Sequence, residues 1–454
     1  MSLEYYTTYA SPPPSILEPD EDFAPPEYTP SSDSPVYSAE PGPSEERLAL
    51  TSRRSARRPP PTTALTRSNS AISVALLGQE AGASAPIYGS QATICGDIGL
   101  KDAHAIQEVR VKVKGTLELT GSDNTGYNTT FFEDIHTLWT ADDTSSPSAS
   151  CPTIVPFEIT LPATCRDNNT RPLPPSFDLK QSGFPSLHVD CSYTITVSTT
   201  QTRSLKQWRT HKKLTVPFIY KPRTRPHQPI LPSSLPFLPS IKSLPEEWHQ
   251  TTSTMGTYLR ATIEPIDSLF FIPSAQIYSL SDTIPFYVQL QAPSESLHHF
   301  LQPSSSSSLS SKLTRRSSHQ STDPHTQPIV RVILQRHVIG IIDSVRITRT
   351  FTIGEATIRV LPSDTSSRAN VLRRPDDGKE TLDYQGEIKC IDSMTVGGFT
   401  AERLVVKDFI MLQLVPANHV KSDLKEHQVL VPIRLVTDPF AEPSTRELDD
   451  SIIS

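Results

Sequence analysis

The sequence predicts an all-β protein: two β-sandwich domains of similar length, with polar, proline-rich segments attached to them. Three observations carry this. Short runs in which apolar and polar residues strictly alternate recur along both halves of the chain, the pattern of strands with one buried face. Turn residues separate these runs, and no apolar pattern of helical period is sustained between residues 86 and 220, which favours paired sheets over helices. Between the halves the alternation stops at Lys221-Pro222-Arg223-Thr224-Arg225-Pro226, where two prolines cannot donate to a ladder.

The most regular pair of strands closes the first domain. Val189, Cys191, Tyr193, Ile195 and Val197 share one face, with Asp190, Ser192, Thr194, Thr196 and Ser198 on the other. After a basic loop, Leu214, Val216, Phe218 and Tyr220 repeat the pattern, so the two runs read as antiparallel neighbours. Upstream, Ile94, Ile98 and Leu100 surround Gly96 and Gly99 in a strand that suits a bulge. Val109, Val111, Val113, Leu117 and Leu119 all fall on odd positions, with Arg110, Lys112 and Lys114 facing solvent between them. Phe131 to Trp139 and Val155 to Leu161 supply two more strands, and Leu173-Pro174-Pro175-Ser176-Phe177 reads as an extended surface segment. In the second half, strands are expected at Leu259–Ile263, Phe270–Ile272, Ile284–Leu290, Ile329–Ile342, Ile347–Leu361, Leu382–Met394, Val406–Val415 and Val429–Leu435. The expected division is a disordered tail at 1–83, a first sandwich at 84–221 and a proline-rich connector at 222–250. A second sandwich follows at 251–437, interrupted by a disordered serine-rich insertion at 293–327, and a polar tail closes the chain at 438–454.

Composition narrows the function. Proline makes up 43 of 454 residues, about twice the ordinary usage. A formal net charge of −7, spread along the chain, gives no nucleic-acid footprint. Five cysteines, an odd number with no CxxC pair, argue against a disulfide framework or a structural zinc site. They are expected to be small core residues in a reducing compartment. The N-terminus has neither a basic n-region nor an apolar core, and no run approaches the roughly eighteen apolar residues of a membrane span. The expectation is an intracellular, soluble protein. No Gly-rich phosphate loop, HExxH or Gly-x-Ser-x-Gly elbow is present. His298-His299 falls in the insertion and reads as a surface pair, and Cys191 lies on an apolar face as a core thiol. No catalytic residue, metal or cofactor is therefore expected.

Three motifs point to partners. Pro25-Pro26-Glu27-Tyr28 follows the acidic run Asp20-Glu21-Asp22; a Pro-Pro pair favours the polyproline II helix that docks into the aromatic groove of WW domains, and the tyrosine adds a second anchor. In a proline-rich tail the same four residues also arise by chance. Arg67-Ser68-Asn69-Ser70 and Arg315-Arg316-Ser317-Ser318 place arginine three residues before Ser70 and Ser318, which suits a basophilic kinase. The first is half of a 14-3-3 binding pattern, although Ile72 stands where the usual proline would be; a solvated basic tail reads the same way. The basic loop carrying Arg203, Lys206, Arg209, Lys212 and Lys213 suits acidic lipid head groups or an acidic cargo segment, or is a solvated hairpin.

Taken in order, several segments resemble the arrestin family, in particular the fungal α-arrestins. They are Gly96 in an early strand, Val109-Arg110-Val111-Lys112-Val113-Lys114-Gly115, Pro156-Phe157-Glu158-Ile159-Thr160-Leu161-Pro162 and Leu173-Pro174-Pro175-Ser176-Phe177. Tyr193-Thr194-Ile195, Val216-Pro217-Phe218 and Ser281-Asp282-Thr283-Ile284-Pro285-Phe286 complete a set that covers roughly residues 86–437. The resemblance implies two immunoglobulin-like sandwiches in a non-enzymatic adaptor. Such an adaptor would be cytoplasmic and recruited to the plasma membrane or endosomes. It would hold a transporter or receptor as cargo, and its PPxY motif would recruit a WW-domain HECT-type ubiquitin ligase for ubiquitination and endocytosis. Two departures stand out: the family usually carries PPxY after its second domain, and the serine-rich insertion is long. The alternative is a coat subunit resembling the retromer component that shares the arrestin fold, with no ligase recruitment.

Overall fold

The computed structural model describes residues 63–122, 125–141, 150–165, 171–181, 186–203, 208–231, 235–301, 329–361, 378–417 and 422–441, all within one compact unit beginning at Thr62. The architecture is all-β: four sheets arranged as two pairs in chain order, accompanied among the described residues by two α-helices.

The first pair is built from β1 (Leu65–Ser68), β2 (Ile72–Leu76), β3 (Ile87–Tyr88), β4 (Thr93–Leu100), β5 (Ile106–Gly121), β6 (Gly126–Thr140), β7 (Ile154–Thr160), β8 (Phe177–Gln181), β9 (Leu187–Arg203) and β10 (Trp208–Tyr220). One sheet has the order β1-β2-β4-β7; the other has the order β3-β10-β9-β5-β6, with β8 beside β9. Among the described strands of this pair only β3 runs parallel to its neighbour. The alternation read from the sequence is the burial pattern of these strands. Val109, Val111, Val113, Leu117 and Leu119 have 0 % exposure, and Val189, Cys191, Tyr193, Ile195 and Val197 have at most 2 %. Both rows face the inside of the same core because β5 and β9 pair with Val113 opposite Ile195.

Two expectations fail here, each for a local reason. The sheet begins at Leu65, inside the stretch expected to be a disordered tail. Ile72, Val74 and Leu76 alternate inward over only five residues, and Asn69 makes the turn before them: its Oδ1 accepts from the N–H groups of Ala71 and Ile72, both at 2.9 Å. The segment Leu173-Pro174-Pro175 is buried, not on the surface. The Tyr193 hydroxyl donates to the Pro174 carbonyl, and Ser176 Oγ accepts from the Tyr220 N–H at 2.9 Å. Tyr193 also packs against Phe131 (5.4 Å), Phe218 (5.4 Å) and Tyr220 (5.1 Å), an aromatic cluster that spans β6, β9 and β10 of one sheet.

The second pair comprises β11 (Trp248–Met255), β12 (Ile266–Pro273), β13 (Ile277–Ser279), β14 (Thr283–Ala292), β15 (Ile329–Ile342), β16 (Val345–Glu355), β17 (Thr357–Val360), β18 (Glu380–Lys389), β19 (Phe399–Ala401), β20 (Leu404–Val415) and β21 (His427–Val436). The sheets have the orders β11-β12-β14-β18-β17 and β13-β21-β20-β15-β16, with β19 beside β20. The region expected as connector contains helix α1 (Phe237–Ser243) and gives up its last three residues to β11. Phe237 stacks on Tyr287 at 4.1 Å and meets Trp248 edge-on at 4.7 Å, so the connector covers one face of a sheet. The expected disordered insertion likewise starts with a helix, α2 (Ser294–Leu301). Leu297 and Phe300, three residues apart on one helical face, are 3 % and 0 % exposed.

The pairs meet end to end. Val338, Ile342, Leu404 and Val406 of the second pair belong to the core of the first. Gly340 lies so near Leu187 that a Cβ there would sit 2.9 Å from its Cδ1. Around this joint, the Tyr127 hydroxyl donates to Glu402 Oε2 at 2.5 Å, Arg403 covers the Tyr127 ring at 4.3 Å, and Phe177 meets Phe399 at 5.4 Å. The connector is clasped where Arg223 pairs with Asp438 at 2.5 Å, holding the Asp438 carboxyl below the usual carboxylate range. At the centre, Arg336 reaches Asp408 through Nε at 2.7 Å and Nη2 at 3.1 Å, with the two side chains 2 % and 0 % exposed. Replacing Arg336 by Met leaves that carboxylate buried without a partner, and stability falls by about 3–5 kcal/mol. The double variant Arg336→Met/Asp408→Leu recovers most of the loss. Chemical denaturation of the four proteins in this cycle measures the coupling, and simply additive losses would refute it.

Candidate functional site

The sequence-predicted site residues do not converge on one place. Pro25, Pro26, Glu27 and Tyr28 lie outside the described residues, as do Lys206 and Ser318. Ser70 is exposed at the turn between β1 and β2, so an Arg-x-x-Ser kinase site there sits on an ordered hairpin and not on a tail. Arg67 takes part in that hairpin: its Nη2 donates to the Ser84 carbonyl at 2.5 Å. His298 is exposed and His299 half-buried on α2. Among the described residues no three His, Cys, Asp or Glu side chains are grouped to hold a metal. All five cysteines are free; four are buried, and burial pushes the Cys191 thiol above its usual range.

The segment expected as a basic loop is mostly strand. Arg203 ends β9, and β10 already contains Arg209, Lys212 and Lys213, paired with Thr202, Thr199 and Ser198. Neighbouring residues on a strand point to opposite faces, so Lys212 and Lys213 cannot present one patch together. The register instead gathers a different set. Lys213, Ser198 and Arg110 form one cross-strand row, Thr215, Thr196 and Lys112 the next, and Pro217, Thr194 and Lys114 a third. The result is an outward face of three lysines, one arginine and four hydroxyls on the first six-stranded sheet.

Its electrostatics are mixed. Lys112 pairs with Glu133 at 2.9 Å and Arg110 with Glu108 at 2.5 Å, whereas Lys114 and Lys213 form no ion pair among the described residues. Thr196 and Thr215 share a hydrogen bond at 3.1 Å. A flat row of amines and hydroxyls of this kind can donate to anionic groups on an equally flat partner. Sequence reasoning had the solvent-facing Lys112 and Lys114, but joined Lys213 to the wrong neighbours. The missing information was the register across three strands, which alternation alone does not specify. Among the described residues no helix is long and apolar enough to cross a membrane.

Neither a scan against protein-family models nor a search of curated protein sequences returns a match to this chain.

The hairpin that carries Ser70 depends on Asn69, which also donates from Nδ2 to the Lys213 carbonyl at 3.0 Å and so ties β1–β2 to β10. Asn69→Ala removes an acceptor shared by two N–H groups and is expected to lower stability by about 1–2 kcal/mol. Urea denaturation checks this; an unchanged midpoint would mean the hairpin is held by its apolar residues alone.

Proposed function

We propose that the protein is a non-enzymatic trafficking adaptor of the arrestin type. In this reading the two sheet pairs are immunoglobulin-like sandwiches that hold a membrane transporter or receptor. Pro25-Pro26-Glu27-Tyr28 holds the WW domain of a HECT-type ubiquitin ligase, which then modifies the held cargo. Joining two binding elements in one chain raises the effective concentration of ligase at cargo without any new contact. The face formed by Lys112, Lys114 and Lys213 suits the acidic head groups of a cytoplasmic leaflet or an acidic cargo segment.

The observation that carries the reading is the Pro-Pro-Glu-Tyr motif, placed on a chain whose described remainder is paired sheets in tandem. Its prolines fit a WW groove with little ordering cost, and Tyr28 adds a ring and a hydroxyl. Order also supports the resemblance: β4 with Gly96, β5 with Val109–Gly115, β7 with Pro156–Thr160, and the buried Leu173–Pro175 segment follow one another as the arrestin pattern implies.

The test uses the full chain and a peptide of residues 15–40 against a panel of WW domains, with Tyr28→Ala as the control. Binding near micromolar affinity, weakened at least about tenfold by Tyr28→Ala, is expected. Absence of binding, together with co-purification of a stable protein partner at fixed stoichiometry, would replace the adaptor by a coat subunit.

A further inference from the structure

Two hollows open where the sheet pairs meet: a cleft of about 660 Å³ and, beside it, a cavity of about 350 Å³ that shares Thr395 and Val396 with the cleft. Strands of both pairs build the smaller one. β8 supplies Phe177 and Leu179, β15 supplies Arg336 and Val338, and β16 supplies Phe351 and Ile353. Alternate residues of a strand share a face, so each strand turns two side chains onto the same space. The segment between β18 and β19 closes one side with Met394. It is held there because the Ile391 N–H donates to the Ile353 carbonyl at 2.8 Å, and the Met394 N–H to the Ile391 carbonyl at 3.1 Å. The wall is mainly aliphatic and aromatic.

One buried polar group interrupts that wall. Arg336 is 2 % exposed. Its Nε and Nη2 donate to Asp408, a contact that uses one edge of the planar guanidinium and leaves Nη1 on the other. Nη1 has no hydrogen-bond partner, and a buried N–H costs free energy until an acceptor completes it. The charge of Arg336, by contrast, is already answered by Asp408, its cross-strand partner on β20. The other charged residue of the lining, Asp178, is exposed and pairs with Lys180 at 3.2 Å. The cavity therefore calls for an acceptor but not for a charge.

We propose that this cavity binds a small neutral molecule, mostly apolar, with one carbonyl-type acceptor for Arg336 Nη1. The apolar frame withdraws the wall from water, and the carbonyl oxygen completes the guanidinium. A carboxylate or phosphate would bring a second anion to a buried ion pair that is already neutral, at a desolvation cost. The volume lies at the lower end of the roughly 300–1,000 Å³ usual for small-molecule sites. Because β8 belongs to the first sheet pair and β15 and β16 to the second, the ligand bridges the pairs and stabilises their joint by mass action. The site is independent of the adaptor reading.

The experiment measures, by equilibrium dialysis against the full chain, three naphthalenes of similar shape: 2-acetylnaphthalene, a neutral ketone; 2-ethylnaphthalene, which has no acceptor; and 2-naphthoate, an anion. The ketone is expected to bind at least about tenfold more tightly than either of the others, the effect of one hydrogen bond to a charged donor. Met394 is half-buried on its loop, so Met394→Trp fills the cavity without reaching the sheet cores and weakens ketone binding at least about tenfold. Arg336→Met/Asp408→Leu removes the donor together with its counter-charge, and the preference for ketone over 2-ethylnaphthalene disappears. Lys407→Gln/Arg434→Gln alters only the larger cleft and leaves ketone binding unchanged. Thermal unfolding shows that each variant is folded. The proposal is overturned if the ketone does not bind the native chain, or if 2-ethylnaphthalene or 2-naphthoate binds as tightly. It is equally overturned if Met394→Trp binds the ketone as the native chain does, if the double variant keeps the preference, or if the cleft variant weakens binding.

Discussion

The joint between the sheet pairs depends on one burial: β15 and β20 run past their own partner sheet and place Val338, Ile342, Leu404 and Val406 in the core of the first pair. Two independent sandwiches would each end in polar turns. Here the second contributes residues to the first, so the first core is not complete without the second. The apolar area withdrawn from water at the joint sets the orientation, and the polar contacts follow from it. Gly340 permits the approach to Leu187, and only with that approach can Tyr127 meet Glu402 and Arg403. The clasp of Arg223 on Asp438 then holds the start of the connector against the end of β21.

The pair Arg336–Asp408 sits in this joint at a cost. Removing both charges from water costs several kcal/mol for each ion, and the bidentate geometry offsets this only in part while Nη1 stays unpaired. Apolar residues of similar volume would pack there at no such cost. What the pair adds is direction: Asp408 on β20 and Arg336 on β15 are cross-strand partners, so their geometry is met in one register alone, while the surrounding valines and isoleucines would tolerate others.

Alternation made the long strands legible. Val109 to Leu119 and Val189 to Val197 could be assigned from sequence because a half-buried strand must alternate, and nothing else in their composition competed. The short strand β2 was hidden because three inward residues, Ile72, Val74 and Leu76, lie among serines and arginines whose composition resembles a tail. Helices α1 and α2 escaped for a similar reason: seven and eight residues are too few for a helical period to show, and tertiary contacts of Phe237 and Phe300 hold them. The sheet face bearing Lys213 was missed because register is a property of three strands together. The cleft of about 660 Å³ between the two pairs was hidden because the residues that line it come from positions as far apart as Arg171 and Arg434.

The two basic regions are built on different principles, and this separates what they can hold. On the sheet face, Glu133 and Glu108 already answer two of the four cations, and the surface is flat and open to solvent. Salt screens such charges, so the face can steer and orient a large partner but contributes little affinity for each contact. In the cleft between the sheet pairs, Asp408 is held by Arg336 and Asp438 by Arg223, and Arg171, Lys221, Lys407 and Arg434 form no ion pair among the described residues. The flat sheet face and the concave joint thus differ in how their charges are answered.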